Sequence, residues 1–356
     1  MSDIRRIAID PGFGGYKVAS ATGERTLSRV IPSLVGIGQA DDLGLGDNLV
    51  TGDDLAVADS RRPLEVSFLN GASEAVDCLV GRGVERYVRP IQRTDFDMLS
   101  GAWEQRALTY AALYRLLGAG EHRVWLLAAL PIQAMRDVAV RGRLAAWLGG
   151  RHEFRVGRRR AAVEVERVAA APQPLGAYFA WGLDDAGRWA RDAKDAQRRV
   201  GVIDLGFNTL DLLVLEGGRP VRRYTGGDQL GVSRAAARLV SEVQRRYHRR
   251  LDLHEADDLL RAAAGGGEAE TGGVDVGALA RGALAQWVGE VVDYLNAQWG
   301  AEPNLAATLV TGGGALAAGA QLAARWPGAT VLRDPVTANA RGLARYARRD
   351  AIWQGV

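Results

Sequence analysis

The chain is 356 residues long, with 45 basic and 42 acidic side chains, 47% hydrophobic residues and a net charge of +3. At about 100–200 residues per domain this length predicts two domains, and the composition excludes a disordered or fibrous chain. Three excess charges are too weak a field for direct nucleic-acid binding, a lone cysteine (Cys78) excludes an internal disulfide and fits a reducing cytosol, and His122, His152, His248 and His254 lack the spacing of a zinc site.

Residues 1–10 carry charges where a secretion signal needs an apolar run, so no signal is expected. Residues 4–9 read as a short apolar strand that runs into Asp10-Pro11-Gly12-Phe13-Gly14-Gly15 and continues as a second strand over 16–21, a hairpin with a glycine-rich turn. Tyr16 and Lys17 open that second strand, and Lys17 is one of only two lysines in the chain, with Lys194. Such a turn gathers backbone N–H groups around one point that a phosphate can fill, although glycine-rich hairpins with a flanking charge also arise for structural reasons. Helical periodicity covers 102–117, and an apolar strand follows over 124–129. Arg158-Arg159-Arg160 reads as a solvated turn, with partner contact as the alternative. Near Pro172-Gln173-Pro174 another helix begins.

Residues 200–214 repeat the opening passage: Asp204-Leu205-Gly206-Phe207-Asn208-Thr209-Leu210-Asp211 forms a second hairpin, offset by 204 − 10 = 194 residues, with Asp211 standing where Lys17 stands. That offset is too long for a solenoid repeat and predicts two related domains. Facing each other, the hairpins can cradle a polyphosphate, with Lys17 neutralising charge and Asp10 and Asp204 holding Mg²⁺ through water. Helical patterns follow over 229–247 and 274–299, separated by a glycine-rich loop at 265–273. A strand over 305–310 then runs into Gly312-Gly313-Gly314-Ala315, where glycine lets a flat ring such as adenine lie on backbone. The uncharged run 304–324 is long enough to cross a bilayer, but its glycines and threonines mark it as strand, turn and helix, so no membrane span is expected. A closing helix occupies 337–348. Strands alternate with helices, so the class is α/β. The chain is expected to cross between domains near Pro172 and return near Pro335, giving 1–171 with 335–356 as one discontinuous domain and 172–334 as the other.

In this order the motifs resemble the actin-like ATPase superfamily, which includes actins, heat-shock chaperone ATPases and sugar kinases. Within it, the stretch Thr225-Gly226-Gly227-Asp228-Gln229-Leu230-Gly231-Val232-Ser233 and the closing Asn339-Ala340-Arg341-Gly342 are most similar to the ParM/StbA group of plasmid-segregation actins. The resemblance implies two related actin/ribonuclease-H-like domains with a nucleotide cleft between them, ATP or ADP with Mg²⁺ as cofactors, and a cytoplasmic location. It implies phosphate contacts from both hairpins, including Tyr16 and Asp211, and an adenosine site at the third glycine motif. Gln173 would orient the attacking water beside Asp10 and Asp204, with a plain helix-start role as its alternative. Asp228 would reach the ribose or cap the following helix. Ala340 and Gly342 would let the closing helix pack closely on the first crossover helix. Phe207-Asn208 departs from the Gly-Gly or Gly-Thr of many relatives, which bears on hydrolysis rate more than on binding. The partners implied are further copies in a head-to-tail filament and a DNA-binding adaptor; another actin-like scaffold and a small-molecule kinase of the same fold are the alternatives.

Overall fold

The computed structural model describes residues 4–40, 62–71, 74–91, 99, 101–300, 304–326 and 328–353. The first and last three residues, where the readings of the two termini begin and end, lie outside the described residues.

Among the described residues two sheets carry the fold. The first opens with strands β1 (Arg5–Pro11) and β2 (Gly15–Thr22), paired antiparallel around the first glycine turn. It continues with β3 (Arg25–Pro32), β4 (Val35–Ile37), β5 (Leu64–Asn70) and β6 (Glu74–Val80). After helix α1 (Trp103–Leu117) comes β7 (Gly120–Leu130), parallel to β1. Helices α2 (Ile132–Arg136) and α3 (Val138–Leu148) then lead to β8 (Gly150–Val156) and β9 (Arg159–Pro172). The order across this sheet is β3-β2-β1-β7-β9-β8-β5-β6-β4.

The second sheet repeats the opening arrangement. Following helix α4 (Gln173–Gly182) and the short α5 (Ala193–Gln197), β10 (Arg199–Leu205) and β11 (Leu210–Glu216) form the second hairpin. Strands β12 (Arg219–Pro220) and β13 (Gly226–Asp228) both pair with β11. Helices α6 (Ser233–Tyr247) and α7 (Leu253–Ala264), the small hairpin β14 (Glu270–Thr271) and β15 (Val274–Asp275), and the long α8 (Gly277–Trp299) precede β16 (Ala307–Thr311), parallel to β10. Helix α9 (Ala315–Arg325), β17 (Ala329–Val331) and helix α10 (Ala338–Tyr346) complete the chain's regular structure.

Two starts were misplaced. The pattern read as a helix over 229–247 begins only at Ser233, and the one over 274–299 only at Gly277. In both places glycines precede the helix: residues 229–232 form a turn after the short strand β13, and residues 274–275 form strand β15, which makes the expected loop at 265–273 part of a hairpin. Helix α7 lies outside every periodic segment named from sequence. No helix among the described residues is long and apolar enough to cross a membrane.

Both sheets are covered on two faces, which is why β1 and β10 are apolar runs rather than alternating patterns. Ile7 and Ile9 point toward α1, whereas the small Ala8, Ala19 and Ala129 make room for α10. In the second sheet Ile203, Leu212 and Val310 face α6 and α8, while Val202, Leu213 and Leu309 face α4. Helices α4 and α10 cross between the sheets with backbone nearly touching: a Cβ on Gly342 would overlap the Gly176 carbonyl, and one on Gly176 would overlap the Asn339 backbone. Ala340, expected at this crossing, packs instead among the alanines of the first sheet.

Candidate functional site

The hairpins set the geometry. Strand pairing places Asp10 opposite Lys17 and Asp204 opposite Asp211, the same register in both copies. Asp10 is buried at the end of β1, with the Lys17 ammonium 3.5 Å from its Oδ2. Gln173, the first residue of α4, donates its Nε2 to Asp10 Oδ1 at 2.7 Å. Asp204 is equally enclosed, and Asn339 of α10 donates Nδ2 to its Oδ2 at 2.7 Å. Burial raises the Asp204 carboxyl to about 7; the Asp211 and Asp10 carboxylates add to this, while Asn339 and Lys17 act in the opposite direction. Asp10 Oδ2 and Asn339 Oδ1 are buried without a hydrogen-bond partner among the described residues. Two buried carboxylates against one lysine leave the box short of positive charge, a donor set that fits a divalent cation held through water.

The turns are tight. A Cβ on Gly12 would lie 2.7 Å from Lys17 Nζ, and one on Gly206 would lie 2.8 Å from the Thr209 carbonyl oxygen. The second turn is anchored from behind: the N–H groups of Gly231, Val232 and Ser233 donate to the carbonyls of Asn208, Gly206 and Phe207 at 2.8–3.1 Å. This accounts for the stretch 225–233, which supports the loop ahead of α6. Phe207 stacks on His254 of α7, ring centroids 5.2 Å apart and planes within 7°. Phe13, from the first hairpin, is buried in the core of the second sheet, and Gly14 leaves room for Phe207.

A cleft of about 510 Å³ runs from the two turns to α7. Both hairpins line it through Asp10, Gly12, Phe13, Gly14, Gly15 and Lys17, and through Asp204, Gly206, Phe207, Asn208 and Thr209, and it is bordered by Gln173 and Asn339. At the far end Gly312 and Gly313 of the expected three-glycine platform line the cleft, whereas Gly314 does not. A Cβ on Gly312, whose φ is +88°, would overlap the Leu205 carbonyl and the Asp204 carboxylate, and Gly314 is packed against Leu205 and Trp287. Ala315 is buried in the core. Arg261 lies beside Gly313, donating to its carbonyl at 2.8 Å and to Asp257 Oδ2 at 2.7 Å, while buried Asp257 keeps Oδ1 without a hydrogen-bond partner. Burial pushes the Asp257 carboxyl upward against the pull of Arg261.

Three expected ligands point elsewhere. The Tyr16 ring enters the core beneath the first sheet, its hydroxyl 2.8 Å from Thr109 Oγ1, and burial drives the phenol well above its usual range. Asp211 turns away from the cleft and accepts the Ile132 N–H at the start of α2, at 2.9 Å; burial raises its carboxyl to about 6 against that hydrogen bond. Asp228 is exposed in β13 and accepts the N–H of Gln229, so it neither lines the cleft nor caps α6. Asn339, Asp257 and Arg261 went unassigned in the sequence. The Asp252 cap and the Leu253/Ala256/Leu260 spacing would have revealed α7, and an amide at the start of a second crossover helix was the signal for Asn339.

Two sheets opened by the same hairpin, two helices crossing between them and a cleft walled by both turns are the architecture of an actin-like protein. The family model for the N-terminal domain of actin-like proteins matches residues 8–176, and that for the C-terminal domain of the archaeal MreB-like actin homologue matches residues 202–324. The chain belongs to the actin-like proteins. Among solved structures it is similar to a 15-stranded ParM filament from Clostridium botulinum, at 17% identity and TM-score 0.75 over 97% of this chain and 99% of that one. It is likewise similar to Ta0583, an archaeal actin homologue, at 16% identity and TM-score 0.73 over 97% and 99%. The actin-like protein Alp7A is 16% identical, with TM-score 0.71 over 98% and 97%. No curated protein sequence matches the chain.

Proposed function

We propose that this protein is an ATPase that binds Mg-ATP between its hairpins, hydrolyses it, and assembles head to tail into filaments that segregate plasmid or other DNA through a DNA-binding adaptor in the cytoplasm. The observation that carries the reading is the enclosed box formed by Asp10, Lys17 and Asp204 of the two facing hairpins with Gln173 at the start of α4. Domain limits of 1–171 with 335–356, and 172–334, accompany it. Ta0583 has also been crystallised with ADP, and the Clostridium botulinum ParM structure is that of a filament, which supports both nucleotide binding and assembly.

Lys17 faces the phosphates, and Asp10 and Asp204 hold Mg²⁺ through water. When bound, the metal neutralises phosphate charge. Gln173 spends its Nε2 on Asp10, which leaves Oε1 to accept a proton-bearing edge of the attacking water. The water oxygen bonds to the γ-phosphorus as the bond to the β,γ-bridging oxygen breaks; ADP leaves with that electron pair, and inorganic phosphate and solvent take up the water's protons. Asp257 and Arg261 face the nucleoside end.

Closing a cleft reorients its walls, and a heterologous contact repeated without closure generates a filament, each contact burying on the order of 1,000 Å² or more. Ultracentrifugation with and without ATP and Mg²⁺ tests this. Pelleting above a critical concentration is expected, with ADP weakening the polymer. Monomers or closed rings alone, at high concentration with ATP bound, would refute assembly.

A further inference from the structure

We propose that Asn339 is a positioning residue of the cleft: it aims the Asp204 carboxylate as Gln173 aims that of Asp10, and its Oδ1 accepts a hydrogen bond from a water held there. The inference rests on the nucleotide reading above. It begins with the observed hydrogen bond: the Asn339 amide donates Nδ2 to Asp204 Oδ2, 2.7 Å away, the orientation that a metal-holding, ionised Asp204 requires because a carboxylate only accepts. Oδ1 is thereby committed to the other direction. Asn339 is only 4% exposed, borders the cleft, and leaves Oδ1 buried without a hydrogen-bond partner. Buried amide oxygens are nearly always satisfied, so this one marks a place that a water or ligand completes.

The position of the amide is fixed from several sides. Thr311 Oγ1 and the Gly312 N–H both donate to the Pro335 carbonyl, at 3.0 and 2.9 Å, tying the approach to α10 to the end of β16. Gly176 lets α4 lie directly against the Asn339 backbone. The two amides also act crosswise. Helix α4 covers the second sheet, yet its Gln173 grips the first hairpin; α10 covers the first sheet, yet its Asn339 grips the second.

The test is calorimetric titration of ATP in Mg²⁺ and, separately, in EDTA, for wild type, Asn339→Ala and Asn339→Ser, with melting temperatures recorded. Removing an outer partner of a metal-holding carboxylate should weaken the Mg²⁺-dependent affinity about tenfold or more. Affinity in EDTA should stay within about twofold, and serine, which keeps a donor, should recover part of the loss. A merely structural brace would lower affinity equally in both titrations, or lower the melting temperature alone; either outcome overturns the proposal. Should alanine prevent folding, Asn339→Leu, of similar volume but without a donor, carries the same comparison. If wild type binds ATP no better with Mg²⁺ than with EDTA, the nucleotide reading fails and the inference with it. If wild type shows the difference and Asn339→Ala retains it fully, the inference alone fails.

Discussion

Substituting Gly342 by alanine tests whether the crossing of α4 and α10 sets the site. The new methyl would overlap the Gly176 carbonyl oxygen and the Ala180 nitrogen and lie 2.8 Å from the Gly176 carbonyl carbon. Ordinary carbon contacts are about 3.5–4.0 Å and the carbonyl oxygen is closer still, so the helices must separate by at least about 1 Å. Overpacking of this kind costs about 1–3 kcal/mol. These helices carry Gln173 and Asn339, and misplacing catalytic groups by about 1 Å reduces rate by about 10²-fold. Single-turnover phosphate release should therefore fall far more than thermal stability does. Gly282→Ala is the control: on the exposed side of α8 an added Cβ meets nothing within 4 Å, so the change should stabilise by about 0.5–1 kcal/mol and leave hydrolysis alone. Wild-type hydrolysis and melting in Gly342→Ala would refute the idea that close helix contact sets the spacing of the two amides.

Lys17→Ala should weaken ATP binding at least about tenfold, since a charge-assisted phosphate contact contributes about 1.5–3 kcal/mol; equal calorimetric affinity would exclude Lys17 from the phosphates. Gln173→Ala should slow phosphate release by about 10-fold or more with little change in affinity, because water positioning acts on the transition state; an unchanged rate under polymerising conditions would assign that role elsewhere. The Asp211 carboxyl, at about 6, lies above the usual aspartate value of about 3.9, so its stabilising share is full below pH about 4 and is lost as pH rises through 6. Buried His152 and His254, both depressed, act oppositely in an overlapping window, so the readout is the difference between wild type and Asp211→Asn in urea denaturation. That difference should shift in favour of the variant between pH 4 and 7, and a constant difference would contradict the buried-carboxylate account.

The duplicated hairpin was legible because a tight turn between strands demands particular residues, and the offset of 194 residues reproduces the observed pairing of Asp10 with Lys17 and Asp204 with Asp211. A motif does not say where side chains point. Tyr16 and Lys17 are neighbours on one strand and so face opposite sides of the sheet, yet the pattern presents both as ligands. Asp211 shares the register of Lys17 but is held by the start of α2, a long-range contact with no local signal. The glycines at 312 and 314 were attributed to an open platform, whereas close approach of Leu205 is what requires them. Helix α7, with Asp257 and Arg261, lies some fifty residues beyond the second hairpin, and only the fold brings it to the cleft.

The first hairpin reaches into the second sheet instead of merely facing it, since the buried Phe13 ring belongs to the same core as Ile203, Leu205, Phe207 and Leu230. Widening the cleft at that end would withdraw an aromatic ring from a packed core, whereas at the opposite end, by Gly313 and Arg261, no ring of the first hairpin is seated among the described residues. If nucleotide binds as proposed, its traffic is expected to be one-sided. The nucleotide should then leave base first past α7, with its phosphates released last and the dwell time of ADP set by how readily Phe13 leaves that core. A smaller residue at position 13 should therefore speed exchange of a fluorescent ADP analogue, and an unchanged release rate would refute this reasoning.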